Sequence, residues 1–204
     1  MFTRLARLAP LTGVVFLLLL VACFIVGGNG VDSDKPTDKV VAYWKDNDTR
    51  QIWACLLALL ATLALVWFAG SLRQAVSRAE GGDGRLAQIA FGGALLAAVG
   101  LLTFSGFAYL AADTVGKVPG EITHTFTVIA NDLFFPLTAG LALLLGASGL
   151  AFLYTALLPR WLGWVSIAMA VAVLTPWGFW VVLLAALWIA GVGIVLFMRG
   201  GAPA

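Results

Sequence analysis

The sequence lacks charge where a membrane engine would need it. Five stretches hold no Asp, Glu, Lys or Arg: Leu8–Val31, Gln51–Leu72, Leu86–Ala112, Leu133–Pro159 and Trp161–Met198. They run to 24, 22, 27, 27 and 38 residues, and all 22 charged residues lie between or outside them. Ion pumps, voltage sensors and ion-coupled transporters mark themselves with ionisable groups inside the membrane, and that mark is missing. Histidine is nearly absent as well. His124 is the only one, which excludes a bis-histidine haem within one chain and removes most histidine-based metal sites. No glycine loop ends in Lys-Ser or Lys-Thr, so phosphate-loop chemistry has no seat. Ser105 and Ser148 fall in the apolar runs without a neighbouring His or Lys to activate them. No cofactor and no metal is expected. A net charge of +2 with no basic tract gives no reason to expect a nucleic-acid partner.

What is present is apolar surface. The apolar fraction is 62% and the charged fraction 11%, against about 25% charged in soluble domains. A helix needs roughly 20 apolar residues to cross a ~30 Å hydrocarbon core. The chain is therefore expected to be all-α, a polytopic transmembrane helical bundle forming one domain over residues 1–204. The first four runs each fit one helix. The last run is too long for one, since 38 residues at 1.5 Å each would reach ~57 Å. Thr175 can cap a helix and Pro176 suits a first helical position, so the run is divided there. Six spans result, at about 8–27, 51–71, 87–111, 132–157, 161–174 and 176–198. The fifth is short and would sit behind thinned lipid or tilt little. Five spans plus a re-entrant segment is the alternative.

Orientation follows from the loop charges. With six spans, one side carries Arg4, Arg7, Arg73, Arg78, Arg85, Arg160 and Arg199 against Glu80 and Asp83. The other carries Lys35, Lys39, Lys45, Arg50 and Lys117 against eight acids. The positive-inside rule puts the first side, with both termini, in the cytoplasm. Trp53, Tyr109, Trp177 and Trp180 then fall near the outer ends of spans, and Trp67, Trp161 and Trp164 near the inner ends, as interfacial aromatics should. Trp188 lies near mid-depth and is read as a packing or lipid-facing residue.

Arg4 and Arg7 before an apolar run, and Leu20-Val21-Ala22-Cys23, resemble a signal sequence with a lipobox. Phe24-Ile25-Val26 continue the apolar run, however, so an uncleaved helix is expected. Cys23 and Cys55 fall at similar depth on antiparallel neighbours. Both a pair of buried small residues and a disulfide are compatible with that placement, the latter only if the Cα atoms come within about 7 Å.

The outer loops, 28–50 and 112–131, hold the polar chemistry. In the first, Asp32, Asp34 and Asp38 alternate with small residues but lack the glycine position and terminal Glu of a calcium loop. Asp38–Asp48 reads as a short helix whose Val40, Val41 and Trp44 share one face, expected to lie flat in the interface. In the second, Ile122, Phe126, Ile129 and Leu133 form an apolar stripe. The opposite face holds Glu121, Thr125 and Asp132, with His124 and Asn131 close by. Glu121, His124 and Asp132 are the weak candidates for an outward-facing catalytic site. The competing reading is a helix polar on its water-facing side. Within the spans, Gly93-x-x-x-Ala97, Ala142-x-x-x-Gly146 and Ala147-x-x-x-Ala151 permit close helix approach. Spans three and four are thus expected to form the packed centre, with Pro136 bending the fourth. No repeat relates the two halves, so inverted-repeat transport gains no support.

Four segments carry a resemblance. They are Val41-Ala42-Tyr43-Trp44-Lys45-Asp46-Asn47, Phe68-Ala69-Gly70-Ser71-Leu72-Arg73, Ala130-Asn131-Asp132-Leu133-Phe134-Phe135 and Leu158-Pro159-Arg160-Trp161-Leu162-Gly163-Trp164. With them the chain resembles small uncharacterised polytopic membrane proteins of a bacterial domain-of-unknown-function family, common in actinobacteria. The abundance of Ala, Leu, Gly and Arg suits such a source. The resemblance implies a multi-pass protein of the bacterial inner membrane and no assigned activity. The function expected is that of a non-enzymatic accessory component that binds membrane lipid or a membrane-protein partner. A small transporter for an apolar or neutral solute is the alternative, and an envelope enzyme the third class.

Overall fold

The computed structural model of the chain describes residues 8–175 and 178–199. The break expected at Pro176, Trp177 beside it, and the basic start at Arg4 and Arg7 lie outside the described residues. Every regular element among the described residues is helical. After a 3-10 turn at Ala9–Leu11 come α1 (Thr12–Gly27), α2 (Thr37–Glu80), α3 (Arg85–Thr114), α4 (Gly120–Asp132), α5 (Phe135–Thr155), α6 (Arg160–Ala172) and α7 (Gly178–Arg199).

The helix ends follow the breakers. Pro36 caps α2, Pro119 caps α4 and Pro159 caps α6, each extended at its own position and each preceding helical backbone. Between Thr37 and Glu80 the sequence contains no proline and a single glycine. Nothing stops the helix, and α2 runs for 44 residues, about 66 Å at 1.5 Å per residue. It ends at Gly81, whose φ of 66° is left-handed and costs a glycine little. Gly84, with φ 62°, then opens α3. The Glu80 carboxylate accepts the N–H groups of Leu86 and Ala87, both at 3.0 Å. It thereby satisfies donors that the first turn of α3 leaves free.

The length of α2 overturns one expectation. The segment Asp38–Asp48 does not lie flat in the interface. It continues span two outward, and Val40 and Trp44 are buried against protein rather than lipid. A second difference concerns the count. Five helical stretches are long and apolar enough to cross a membrane, not six: Ala9–Gly27, Thr37–Glu80, Arg85–Thr114, Gly120–Thr155 and Trp180–Arg199. The expected fifth span is α6, with only 13 residues, about 20 Å long. Pro159 stops it on one side, and a turn at Val173–Thr175 closes it on the other. The fourth stretch is itself two helices. α4 stops at Asp132, and Pro136 sits in the first turn of α5, where its missing N–H is harmless.

α3 is the hub, packed most heavily on α5 and α2. Small residues make this possible. A Cβ on Gly100 would run into the backbone of Leu137, and one on Gly140 into the backbone of Ala97. One on Gly93 would come within 2.5 Å of the Leu144 nitrogen. α6 leans on α5 through Gly149 and Gly163 in the same manner. Trp188, buried on α7, stacks on Phe152 at 6.2 Å and donates its indole N–H to Ser166 Oγ at 2.8 Å. Mid-depth tryptophan here is packing. Gly13 at the start of α1 meets Ile189, and Gly193 meets Pro10. The start of α1 and the last part of α7 therefore share one end of the bundle. Arg73, Arg78, Arg85, Arg160 and Arg199 belong to that end. Arg199 donates to the Leu157 carbonyl, and Arg73 lies 5.2 Å from the Phe91 ring centre. The opposite end is closed by the overhang of α2, by α4 and by the loop 28–36.

Candidate functional site at the capped end

A second apolar core builds this cap. Val31, Val40, Trp44, Cys55, Ala108, Ala111, Ala112 and Ala130 pack together. Phe107 and Phe126 meet beside them at 6.3 Å. Burying Trp44 obliges its indole N–H to find a partner. It donates to Thr127 Oγ1 at 2.8 Å, and Thr127 in turn donates to the Thr123 carbonyl at 2.9 Å.

The loop over this core carries carbonyls that need donors, and side chains from the two helices supply them. Tyr43 Oη donates to Asn29 O at 2.8 Å, and Asn131 Nδ2 to Val31 O at 3.0 Å. His124 Nε2 lies 2.8 Å from Ser33 O. A carbonyl can only accept, so this nitrogen carries the proton. In the neutral ring Nδ1 then accepts from Thr37 Oγ1 at 2.9 Å. The end of α1 is held likewise. Arg50 Nε donates to Val26 O. Gln51 Nε2 donates to Gly27 O at 2.9 Å and to Tyr43 Oη at 2.7 Å. These carbonyls form the negative end of the α1 dipole, so the Arg50 charge is well placed. Burial pushes the Tyr43 pKa up, against the Gln51 hydrogen bond and the Arg50 charge, which both lower it. Tyr43 thus stays a protonated donor at neutral pH.

The three weak candidates from the sequence fall differently. His124 is half-buried with both ring nitrogens engaged. Glu121 and Asp132 are exposed. They lie eleven residues apart on one helix, about 16 Å along its axis. The fold does not bring the three together. No group of three or more His, Cys, Asp or Glu placed to hold a metal occurs among the described residues. Cys23 and Cys55 are both free thiols. Cys55 belongs to the second core and Cys23 is half-buried on α1. Ser148, fully buried on α5, has no hydrogen-bond partner among the described residues.

No family model, curated protein or solved structure matches this chain. The expected kinship rests on the four quoted segments alone. What sequence reasoning missed is the role of Thr37, Tyr43, Arg50 and Gln51. Their signal was the unbroken helical stretch from Thr37 onward, which places Tyr43 about two turns before the adjacent Arg50 and Gln51 on one helix.

A cavity of about 20 Å³ lies among Phe16, Leu65, Leu101, Leu141 and Ile189. One water would fit, but it would need two to four polar partners, and this lining is apolar. The cavity is dry and too small for a solute.

Proposed function

We propose that this protein is a component of the bacterial inner membrane that acts by binding a protein or lipid partner. Its capped end faces outward and its arginine-rich end faces the cytoplasm. The observation that supports the reading is the state of His124. The chain's one imidazole spends both nitrogens holding the loop 28–36 onto α4, and the neighbouring acids point into solvent. The side chains best suited to chemistry serve to build a rigid platform. Exposed Asp34, Lys35, Asp38, Lys39, Asp46 and Glu121 on that platform present mixed charge to a partner.

The test is co-purification of the intact chain in mild detergent, with a photo-crosslinker at Lys39. A single stoichiometric membrane-protein or lipid adduct is the expected result. Loss of a cellular phenotype in His124→Ala, with folding retained and no partner captured, would instead select the enzyme reading. Stabilisation by one neutral solute, abolished by enlarging Leu141 to Trp, would select transport.

A further inference from the structure

Cys23 and Cys55 are the chain's only two cysteines, and the packing of α1 on α2 brings them to one level. Two glycines fix how these antiparallel helices are set. A Cβ added to Gly13 would meet the Phe68 ring at 2.9 Å, and one added to Gly27 would stand 3.4 Å from the Ala54 Cβ. The same number of residues separates the two contacts on either helix, so the pair runs in step. Gly13, Phe16 and Leu20 are the buried residues of α1. Cys23 falls next in that three-and-four spacing, with Gly27 after it, so it shares the face turned to α2. One turn inward from Gly27, Cys23 stands level with Ala58. Cys55 is three residues nearer the cap, about 4.5 Å along the axis. The two sulfurs are near enough for a charge on one to act on the other. At Gly27 and Ala54 the helices already approach as closely as a disulfide requires, since bridged Cβ atoms stand about 3.5–4.5 Å apart.

A bond between the two sulfurs would close residues 24–54 into a ring. That ring contains the loop 28–36, Tyr43 and Trp44, which build the cap, and Arg50 and Gln51, which hold the end of α1. Hydrogen bonds alone tie this base together in the reduced chain. In the proposed orientation it lies on the outer side of the membrane, where disulfides form and persist.

We propose that Cys23 and Cys55 form an intramolecular disulfide that staples α1 to α2 beneath the cap. Cys55 is buried and Cys23 half-buried, so Cys23 meets the oxidant first. Its thiolate attacks a donor disulfide, forming a mixed disulfide and releasing one donor thiolate. The Cys55 thiolate then attacks Cys23 Sγ and releases the second. The cysteines lose two electrons and two protons, and the donor disulfide becomes two thiols. The staple does not depend on what the cap binds. To test it, the full chain is purified in mild detergent, reduced, and incubated with oxidised glutathione at mildly alkaline pH, where thiolate is available. It is then denatured, and free thiols are counted by maleimide tagging and intact mass. The expected product is a monomer with no taggable thiol, lighter by two hydrogens, that unfolds at a higher temperature than the reduced chain. Cys55→Ala should stop at the mixed disulfide, with one glutathione on Cys23. Cys23→Ala should leave Cys55 unmodified. Two free thiols, a glutathione adduct that persists with both cysteines present, a dimer linked through either cysteine, or an oxidised chain no more stable than the reduced one would overturn the proposal.

Discussion

At the scale of single residues, the cap is a set of donors matched to loop carbonyls. His124 illustrates the point. Replacing it by Ala removes two hydrogen bonds and strands Ser33 O and the Thr37 hydroxyl at a half-buried site. The expected loss is about 1–3 kcal/mol, read as a lower unfolding midpoint in detergent. His124→Gln should recover part of it by donating to Ser33 O. Glu121→Ala and Asp132→Ala, at exposed positions, should stay within about 0.5 kcal/mol. Equal effects at all three positions would contradict the structural role assigned to His124. The sequence singled out these three residues because polar atoms are rare elsewhere in the chain. It could not tell that one is tied down and two are free. That distinction depends on Ser33 and Thr37, about ninety residues away in the chain.

Individual helices show where pattern reading works and where it stops. The apolar runs marked α1 and α3, and the end of α7, to within a few residues, because charge avoidance and helix length share one cause, the thickness of the hydrocarbon core. The reading of α2 stopped short at Gln51. Charged residues between Lys45 and Arg50 looked like a loop boundary, yet helix continuity depends on backbone breakers, and none is present. The short α6 enters the count of six because the 38-residue run is too long for one helix and divides at Pro176, which leaves a segment of only 13 helical residues after Pro159. Small residues were a better guide. Gly93 and Ala97 do sit in the α3–α5 contact. Its tightest points, Gly100 and Gly140, follow from how the two helices meet. Gly100→Leu should cost more than about 3 kcal/mol, since backbone rather than a flexible side chain blocks it. Gly106, on the same helix, has nothing within 4 Å of an added Cβ. Gly106→Ala should be neutral or stabilising by up to about 1 kcal/mol. Size-exclusion profiles and melting curves of the two variants in one detergent would check the contrast.

For the whole molecule, the question is which way it sits. The fold gathers Arg73, Arg78, Arg85, Arg160 and Arg199 at the end opposite the cap, as the loop charges suggested. In the proposed orientation, which follows the positive-inside rule, that end faces the cytoplasm. A cysteine placed at Lys39 should react with a membrane-impermeant maleimide on intact spheroplasts. One at Arg78 should react only after permeabilisation. The reverse pattern would invert the proposed orientation.

By itself, the sequence determined that the chain is an all-helical membrane protein, where its apolar runs begin and end, and how its charges are shared between two ends. Those properties are local, set by the free energy of moving one residue from water to hydrocarbon. Only the tertiary structure decided that α2 rises past its charge-free run into a capped platform, and that His124 is a strut. Each of these depends on partners distant in the chain, and a charge-free run carries no record of which partners will meet.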